Sequence, residues 1–416
     1  MTLPAQPPPD EGGRPSPSGT TRTGATPPAA HTGPLPWVKL RAASATSNLY
    51  KRMIGEVDPK ARPGDLVAVY DKAGAPYGVA LYNPKSLITL RLLTRELAGF
   101  DPEEFFAKRL ARAVELRRAL LKLDDVTDAY RVVYDLGDGL PGLVVDRYGD
   151  FIVLELYSLA MFRQAERLER LLAAHYPGAK FLRRASEHTE SMEGFQIPAQ
   201  GRTVTRVREH GVSFEVDLTG GHKTGFFCDQ RDNRLAVSLL SGGRKVLDVC
   251  SYTGGFGLYA AKLGGAKTVT CVELDPESCK LIDKNARLNG VELETVCVDA
   301  FPYLRQMGAN RQTYDLIVLD PYKMIASREG YQLGRQKYVD LNRLALSVMS
   351  EGGILVTASC SGMLSWDEFQ ACLRTAAGSA RKRVEVFRKT GAGPDHPVAA
   401  DHPEGEYLKA LWCRVL

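Results

Sequence analysis

Hydrophobic spacing divides the chain into stretches of different texture. From Trp37 to about Glu96, short apolar runs alternate with turn residues, as in PGDLVAVYDKAGAPYGVALYNPKSLITLRLLT, where Pro63-Gly64, Lys72-Ala73-Gly74 and Asn83-Pro84 mark the turns. That pattern predicts a small β-barrel. From Asp101 to Lys122, apolar residues recur at helical spacing behind an opening Asp-Pro-Glu-Glu, which predicts a helix. Arg131 to Leu156 reads as strands around the turn-rich DGLPGLVVDRYGD, and Ala160 to Ala174 as a second amphipathic helix. After Thr205, continuous apolar runs at 245–250, 268–273, 294–298, 314–319 and 353–359 alternate with helical stretches. Such runs are strands buried on both faces, so they predict a mostly parallel sheet covered by helices. Residues 1–36 carry almost no large apolar side chains and are expected to be a disordered Pro/Gly-rich tail. The predicted fold is therefore multidomain: a small β-barrel over 37–100, a small α+β middle domain over 101–205, and an α/β Rossmann-like domain over 206–416.

Composition adds the class of molecule. A chain of 416 residues with 44% hydrophobic content is expected to hold two or three soluble domains. No apolar run approaches the roughly 18–20 residues of a membrane span, so no membrane partner is expected. The opening MTLPAQPPPDEGG lacks a basic end followed by an apolar stretch, so no secretory signal is expected either. None of the eight cysteines forms a C-x-x-C pair, and the spacing names no metal site. Most of them sit in apolar strand-like runs, which suits reduced thiols in a cytoplasmic protein. Charge is informative through its placement. The stretch Trp37–Glu96 holds ten Lys/Arg against five Asp/Glu, which equals the whole chain's net charge of +5. A basic module beside a balanced catalytic domain fits a polyanion such as RNA, although a solvated surface explains the charge alone equally well.

The Rossmann-like part carries the candidate chemistry. In an open parallel sheet, ligands bind beyond the carboxyl ends of the strands at the switch point. Asp248 ends the first of the predicted strands, and Ser251, Tyr252, Gly254 and Gly257 form the turn that follows. Glycine there admits a ligand close to the backbone. Glu273 ends the second strand, 19 residues after Gly254, the spacing of a carboxylate that accepts hydrogen bonds from ribose hydroxyls. The strict G-x-G-x-x-G of dinucleotide enzymes is absent, which favours S-adenosylmethionine over a nicotinamide cofactor. Asp299, at the end of the third strand, is placed to meet an adenine amino group; helix capping is the plainer role for Glu273 and Asp299 alike. Upstream, GGHKTGFFCDQRDNR offers Lys223, Gln230 and Arg231 as phosphate or carboxylate contacts, or a strand–turn–helix with a polar face.

Asp320 ends the fourth strand and Cys360 the fifth, so both tips face the cofactor edge. A thiolate and a carboxylate beside a methyl donor are what methylation of cytosine carbon 5 requires. That carbon attacks no methyl group unaided, and thiolate addition to carbon 6 makes it enamine-like. Against this, cysteine is commonly a small buried core residue. Two groups near Asp320 are candidate substrate contacts, Tyr322 and Lys323.

Longer strings carry a resemblance: PGDLVAVYDKAGAPYGVALYNPKSLITLRLL, DGLPGLVVDRYGD, GGHKTGFFCDQRDNR, LDVCSYTGGFG, LDPYK, SCSG and DHPEGEYLKA, in this order. In these the chain resembles the ribosomal RNA large subunit methyltransferase I family, bacterial enzymes with a PUA domain, a small middle domain and a Rossmann-like methyltransferase domain. The resemblance implies S-adenosylmethionine-dependent formation of 5-methylcytosine in 23S ribosomal RNA, with Cys360 as nucleophile and Asp320 contacting the base. It also suggests a homodimer. Two departures stand out. Tyr322 replaces the second proline after the motif Asp, which keeps open an N-methyltransferase acting on a purine amino group. LYKRMIGEV stands where the family carries His-Pro-Trp. A non-catalytic RNA-binding factor and a small-molecule methyltransferase are further alternatives. His396 is expected to be structural.

Overall fold

A computed structural model describes residues 26–42, 44, 46–219 and 225–416. The N-terminal unit is a six-stranded sheet of Trp37–Leu40 (β1), Asn48–Tyr50 (β2), Ile54–Val57 (β3), Leu66–Tyr70 (β4), Pro76–Tyr82 (β5) and Ile88–Thr94 (β6), ordered β2-β6-β5-β4-β1-β3. Its edge strands β2 and β3 are joined only by the single turn Lys51–Met53. So short a link makes the sheet curl until its edges approach, giving the predicted barrel without full hydrogen-bonded closure. Val38, Leu49, Val67, Val69, Ala80 and Leu90 fill its interior. Of the tail expected to be disordered, residues 1–25 lie outside the described residues. Further on, His31 Nδ1 lies 3.0 Å from the Tyr70 hydroxyl and Leu35 packs against Trp37 and Tyr70.

The middle unit begins with Pro102–Glu115 (α1), capped by Asp101, whose side chain accepts from Glu104 N. The predicted helix continues to Leu120 as a π-helical turn that carries the buried Arg117. Ala129–Tyr134 (β7), Leu143–Tyr148 (β8), Phe151–Leu156 (β9) and Lys180–Arg184 (β10) form a sheet ordered β10-β9-β8-β7, with Leu159–Ala173 (α2) packed on it. Glu187–Glu193 (α3) follows, and Asn83 Nδ2 of the barrel donates to Glu193 O at 2.9 Å, tying the two units together.

Val204–Glu209 (β11) and Val212–Asp217 (β12) form an antiparallel hairpin before Arg231–Leu239 (α4). The C-terminal sheet holds Lys245–Val249 (β13), Thr268–Glu273 (β14), Glu294–Cys297 (β15), Tyr314–Leu319 (β16), Met349–Ser359 (β17), Val384–Thr390 (β18) and Lys409–Val415 (β19). Between them run Gly255–Lys262 (α5), Pro276–Asn289 (α6), Ala300–Ala309 (α7), Tyr331–Ser347 (α8) and Trp366–Ala380 (α9). The strand order is β15-β14-β13-β16-β17-β19-β18. All pairs from β15 to β17 are parallel, and β19 is antiparallel to both neighbours. The first five of these strands answer the five predicted apolar runs. The chain winds outward in both directions from between β13 and β16, which makes that point the switch where a ligand crevice opens.

Candidate active site

At this switch point lies a cavity of about 790 Å³, walled by the loops after β13, β14, β15, β16 and β17 and by Phe226–Gln230 ahead of α4. Its size is that of a small-molecule site, and its wall is mostly apolar with a few polar groups at the strand tips.

The loop after β13 is held in an unusual shape. Cys250 and Tyr252 have φ of 62° and 51°, and Gly254 has φ of 81°. Non-glycine residues in this region cost about 1–3 kcal/mol each and concentrate at functional sites. The shape turns the Tyr252 amide onto Glu273, whose Oε2 accepts it at 2.8 Å, while Glu273 Oε1 accepts from Leu274 and Asp275 amides at 2.8 and 3.1 Å. Oε1 is filled by its two amide donors, but Oε2 keeps a further lone pair, so Glu273 retains capacity for a hydroxyl donor. Asp299 caps α7 through Phe301 N at 2.8 Å and also lines the cavity, so its capping role and its place in the site coexist. Ser251, Tyr252, Gln230, Asp320, Tyr322, Lys323 and Cys360 line the same cavity. Gln230 is buried, and its Oε1 accepts from Asn233 Nδ2 at 2.6 Å.

Three predicted residues shape the cavity from behind. Asp248 is fully buried and its Oδ2 accepts from Gly257 N at 2.9 Å. Burial pushes its carboxyl up to about 7; the Gly257 hydrogen bond opposes that, and the charges of Asp320 and Glu273 add to it. Gly254 supplies the left-handed turn at the start of α5. Gly257 is required by packing: a Cβ there would stand 2.4 Å from Cys271 Sγ. Gly254 and Gly257 are not themselves on the cavity wall, where Thr253 and Gly255 of the same turn stand.

Arg231 is a correction. Its guanidinium is buried away from the cavity, with Nη2 donating to Asp395 Oδ1 at 2.7 Å and Nη1 to Oδ2 at 3.2 Å. Asp395 also accepts from Arg131 N at 3.0 Å, and the buried His396 packs beside it at 3.3 Å. Lys223 lies outside the described residues.

Cys360 and Asp320, which directly follow β17 and β16, line the same cavity. Cys360 is partly buried, and its Sγ is 3.9 Å from the Pro321 carbonyl. Ser359 and Ser361 on either side of it are tied to Tyr338 of α8, at 2.9 and 3.0 Å, which fixes the turn that presents the thiol. Tyr322 is 65% exposed at the cavity mouth. Sequence reasoning missed Phe226, Phe227, Asp229, Pro276, Phe301 and Leu408 on the wall. The two phenylalanines and Asp229 stand in the string GGHKTGFFCDQRDNR and Leu408 in DHPEGEYLKA, while Pro276 and Phe301 gave no signal.

The cavity residues suit S-adenosylmethionine: a strained glycine turn, a carboxylate at the second strand tip, and an apolar cleft between Leu274 and Phe301. Residues 195–400 match the family model described as S-adenosylmethionine-dependent methyltransferase, and residues 47–95 that of a PUA-like domain. The ribosomal RNA large subunit methyltransferase I of Cronobacter sakazakii is 35% identical over 382 residues, covering 88% of this chain and 95% of the relative. That of Klebsiella pneumoniae (strain 342) is 35% identical over 373 residues, covering 87% and 92%. A solved chain described as a SAM-dependent methyltransferase from Streptococcus mutans shares the fold at 22% identity, with a TM-score of 0.75 over 91% of this chain and 100% of that one. A barrel joined to a methyl-transfer sheet, and similarity running through both, place this S-adenosylmethionine-dependent enzyme in the ribosomal RNA large subunit methyltransferase I family.

Proposed function

We propose that the enzyme methylates carbon 5 of a cytosine in 23S ribosomal RNA through a covalent Cys360–carbon 6 adduct. What carries the reading is one juxtaposition: Cys360 and Asp320, on the tips of adjacent strands, open into the cavity that also holds the cofactor-type residues Ser251, Tyr252, Glu273 and Asp299. The relatives' name supplies the class of RNA.

When bound, the cofactor supplies an electrophilic methyl group on a sulfonium. The chain's residues do the rest. Gln230, Glu273 and Asp299 hold the cofactor, and Asp320 holds the edge of the target base. The Cys360 thiolate would add to carbon 6, and the electron pair displaced onto carbon 5 would form the new bond to the methyl group as the methyl's bond to the sulfonium sulfur breaks and its pair stays on that sulfur. Loss of the carbon 5 proton then restores the ring double bond and expels the thiolate. Asp320 and water are the candidates for the base that takes this proton. A base inside a stack exposes neither face, so the cytosine must be flipped out or already unpaired. The basic barrel grips the backbone nearby.

Changing Cys360 to Ala is expected to lower 5-methylcytosine formation at least about a thousandfold, roughly 4 kcal/mol of barrier. RNA carrying 5-fluorocytosine is expected to remain covalently attached to the wild-type protein and not to the variant, because fluorine blocks the final proton loss. Mass spectrometry of the RNA and denaturing gels check both. Full methylation by Cys360→Ala would overturn the reading. It would favour methylation of an exocyclic amino group instead, for which the Asp320-Pro321-Tyr322 tip with its exposed aromatic ring is the relevant feature.

A further inference from the structure

A second cleft, of about 460 Å³, lies where the three units meet. The barrel supplies Arg95, just after β6, and the middle unit supplies Arg109 and Arg112 of α1. The loop that leads to β19 closes it with Ala399 and Asp401. Arg95 stacks over Tyr77 at 4.4 Å and donates to Ser44 O at 3.0 Å. Arg109 lies over the Phe105 ring at 5.4 Å and packs on Gly139, where a Cβ would stand 3.0 Å from its Nη1. Arg112, three residues further along α1, is exposed on the same side of the helix.

These cations gather without matching acids. Glu103 of α1 pairs with Arg167 and Arg170, and Glu104 with Lys108. Asp138 on the cleft wall is already engaged: both its oxygens accept from Arg117, at 2.6 and 2.8 Å, and Oδ2 also accepts from Tyr134 N at 2.6 Å. Asp401 is the other carboxylate on the wall; it is exposed, and among the described residues no ion pair joins Arg109 or Arg112 to it or to any other acid. Burial and the charge of Arg112 both pull the Arg109 guanidinium below its ordinary range, as expected of a cation without a counter-charge. Planar guanidinium forks match the oxygens of a phosphate, so a phosphate group is the anion this wall suits.

The place of the cleft names the source of that phosphate. It opens between the basic barrel and the catalytic sheet, and its closing loop runs on to Leu408, on the wall of the methyl-transfer cavity. Asp401 and Leu408 are seven residues apart, so they stand at most about 25 Å from one another. The loop is pinned to the middle unit: Tyr134 OH donates to Gly405 O at 2.8 Å, and a Cβ on Gly137 would stand 1.9 Å from Pro397 O.

We infer that this cleft is a phosphate site, where Arg95, Arg109 and Arg112 hold one backbone phosphate of the RNA substrate between the barrel and the methyl-transfer cavity. The inference rests on RNA being the substrate, not on Cys360 or on the atom methylated. Such a contact fixes the register of the strand and carries no sequence information. The test is binding of 23S ribosomal RNA to the full chain over a range of salt concentrations. Arg109→Gln with Arg112→Gln is expected to weaken binding about tenfold near 0.1 M salt and to make the slope of log affinity against log salt shallower by about 0.7. Arg112→Glu, at an exposed position, should weaken binding even if the double variant does not fold, and Arg112→Lys should restore most of the loss. Affinity for S-adenosylmethionine reports the fold, since neither arginine lines the cofactor cavity. Unchanged RNA affinity and slope in variants that still bind S-adenosylmethionine would overturn the inference. So would binding of inorganic phosphate that the variants lose while RNA binding stays intact, which would make this a site for a free phosphate compound. Wild-type protein that binds no RNA at all would instead sink the RNA reading, and this site with it.

Discussion

Asp248 shows how one buried carboxylate couples the site to pH. Its folded-state value of about 7 lies well above that of an unfolded aspartate, with burial the main cause. Between roughly pH 4 and 7 the folded chain therefore holds a proton that the unfolded chain has released. Asp248's contribution to stability is full below about pH 4 and is lost as pH rises through about 7. If S-adenosylmethionine occupies this cavity as proposed, its sulfonium and ammonium add positive charge near the carboxylates Glu273 and Asp320 on the wall and Asp248 behind it. Added positive charge favours the ionised carboxylate, so binding releases the proton. Calorimetry is expected to show several-fold tighter cofactor binding at pH 8 than at pH 6, with proton release near pH 7. In Asp248→Asn, which keeps an acceptor for Gly257 N, that trend should vanish. A wild-type affinity that is flat from pH 6 to 8 would refute the coupling.

At the scale of elements, the parts that were legible in the sequence share a physical cause. Strands β13, β14 and β16 and the second half of β17 are buried along nearly their whole length, so their sequences are near-continuous apolar runs, and the polar residue at the end of each run backs or lines the cavity; the edge strand β15 is half exposed. Hairpin β11–β12 and the antiparallel strand β18 have mixed burial along their length and give no such signal. Arg231 was misread because a cation at a helix start looks the same whether it faces a ligand or a buried carboxylate. The loop carrying Asp395 is instead the joint between elements. Asp395 accepts from Arg231 of α4 and from β7 through Arg131 N, and its backbone carbonyl accepts from Arg117 at 2.7 Å. Burial would raise its carboxyl, but His396 and Arg231 hold it well below the usual range. Asp395→Ala leaves Arg231 buried without its main counter-charge, and is expected to destabilise the chain by about 3–5 kcal/mol. Arg117 should stay in place, since Asp138 pairs with it at 2.6 Å. Urea denaturation measures the loss, and a change below about 1 kcal/mol would show the joint to be dispensable.

The whole molecule joins a basic barrel to a methyl-transfer sheet through the middle unit, and the barrel's orientation is fixed by specific contacts. Asn83 donates to Glu193 Oε2 at 2.8 Å, and Arg91 approaches Glu193 Oε1 at 3.4 Å. Above this seam lies a groove of about 580 Å³ lined by Tyr50, Lys51, Arg52, Pro84, Lys85, Ser86, Leu87 and Met192. It offers three cations, no acid, and an exposed aromatic ring, the combination by which single-stranded nucleic acid is held through phosphates and stacking. Two of its cations, Lys51 and Arg52, are adjacent in the chain. If the proposed RNA substrate crosses here, replacing Lys51, Arg52 and Lys85 together by Ala leaves up to three phosphates without a neutralising cation. The slope of log affinity against log salt should then become shallower by about 0.7 for each such phosphate, and affinity should fall alike for RNAs of different sequence. Cofactor affinity should not change, because none of the three residues lines the cavity at the strand tips. Replacing Tyr50 by Ala should weaken binding by about 1–3 kcal/mol with an unaltered salt slope, since stacking releases no counterions. An unchanged slope in the triple variant would mean that the RNA reaches Cys360 without crossing the barrel at this groove.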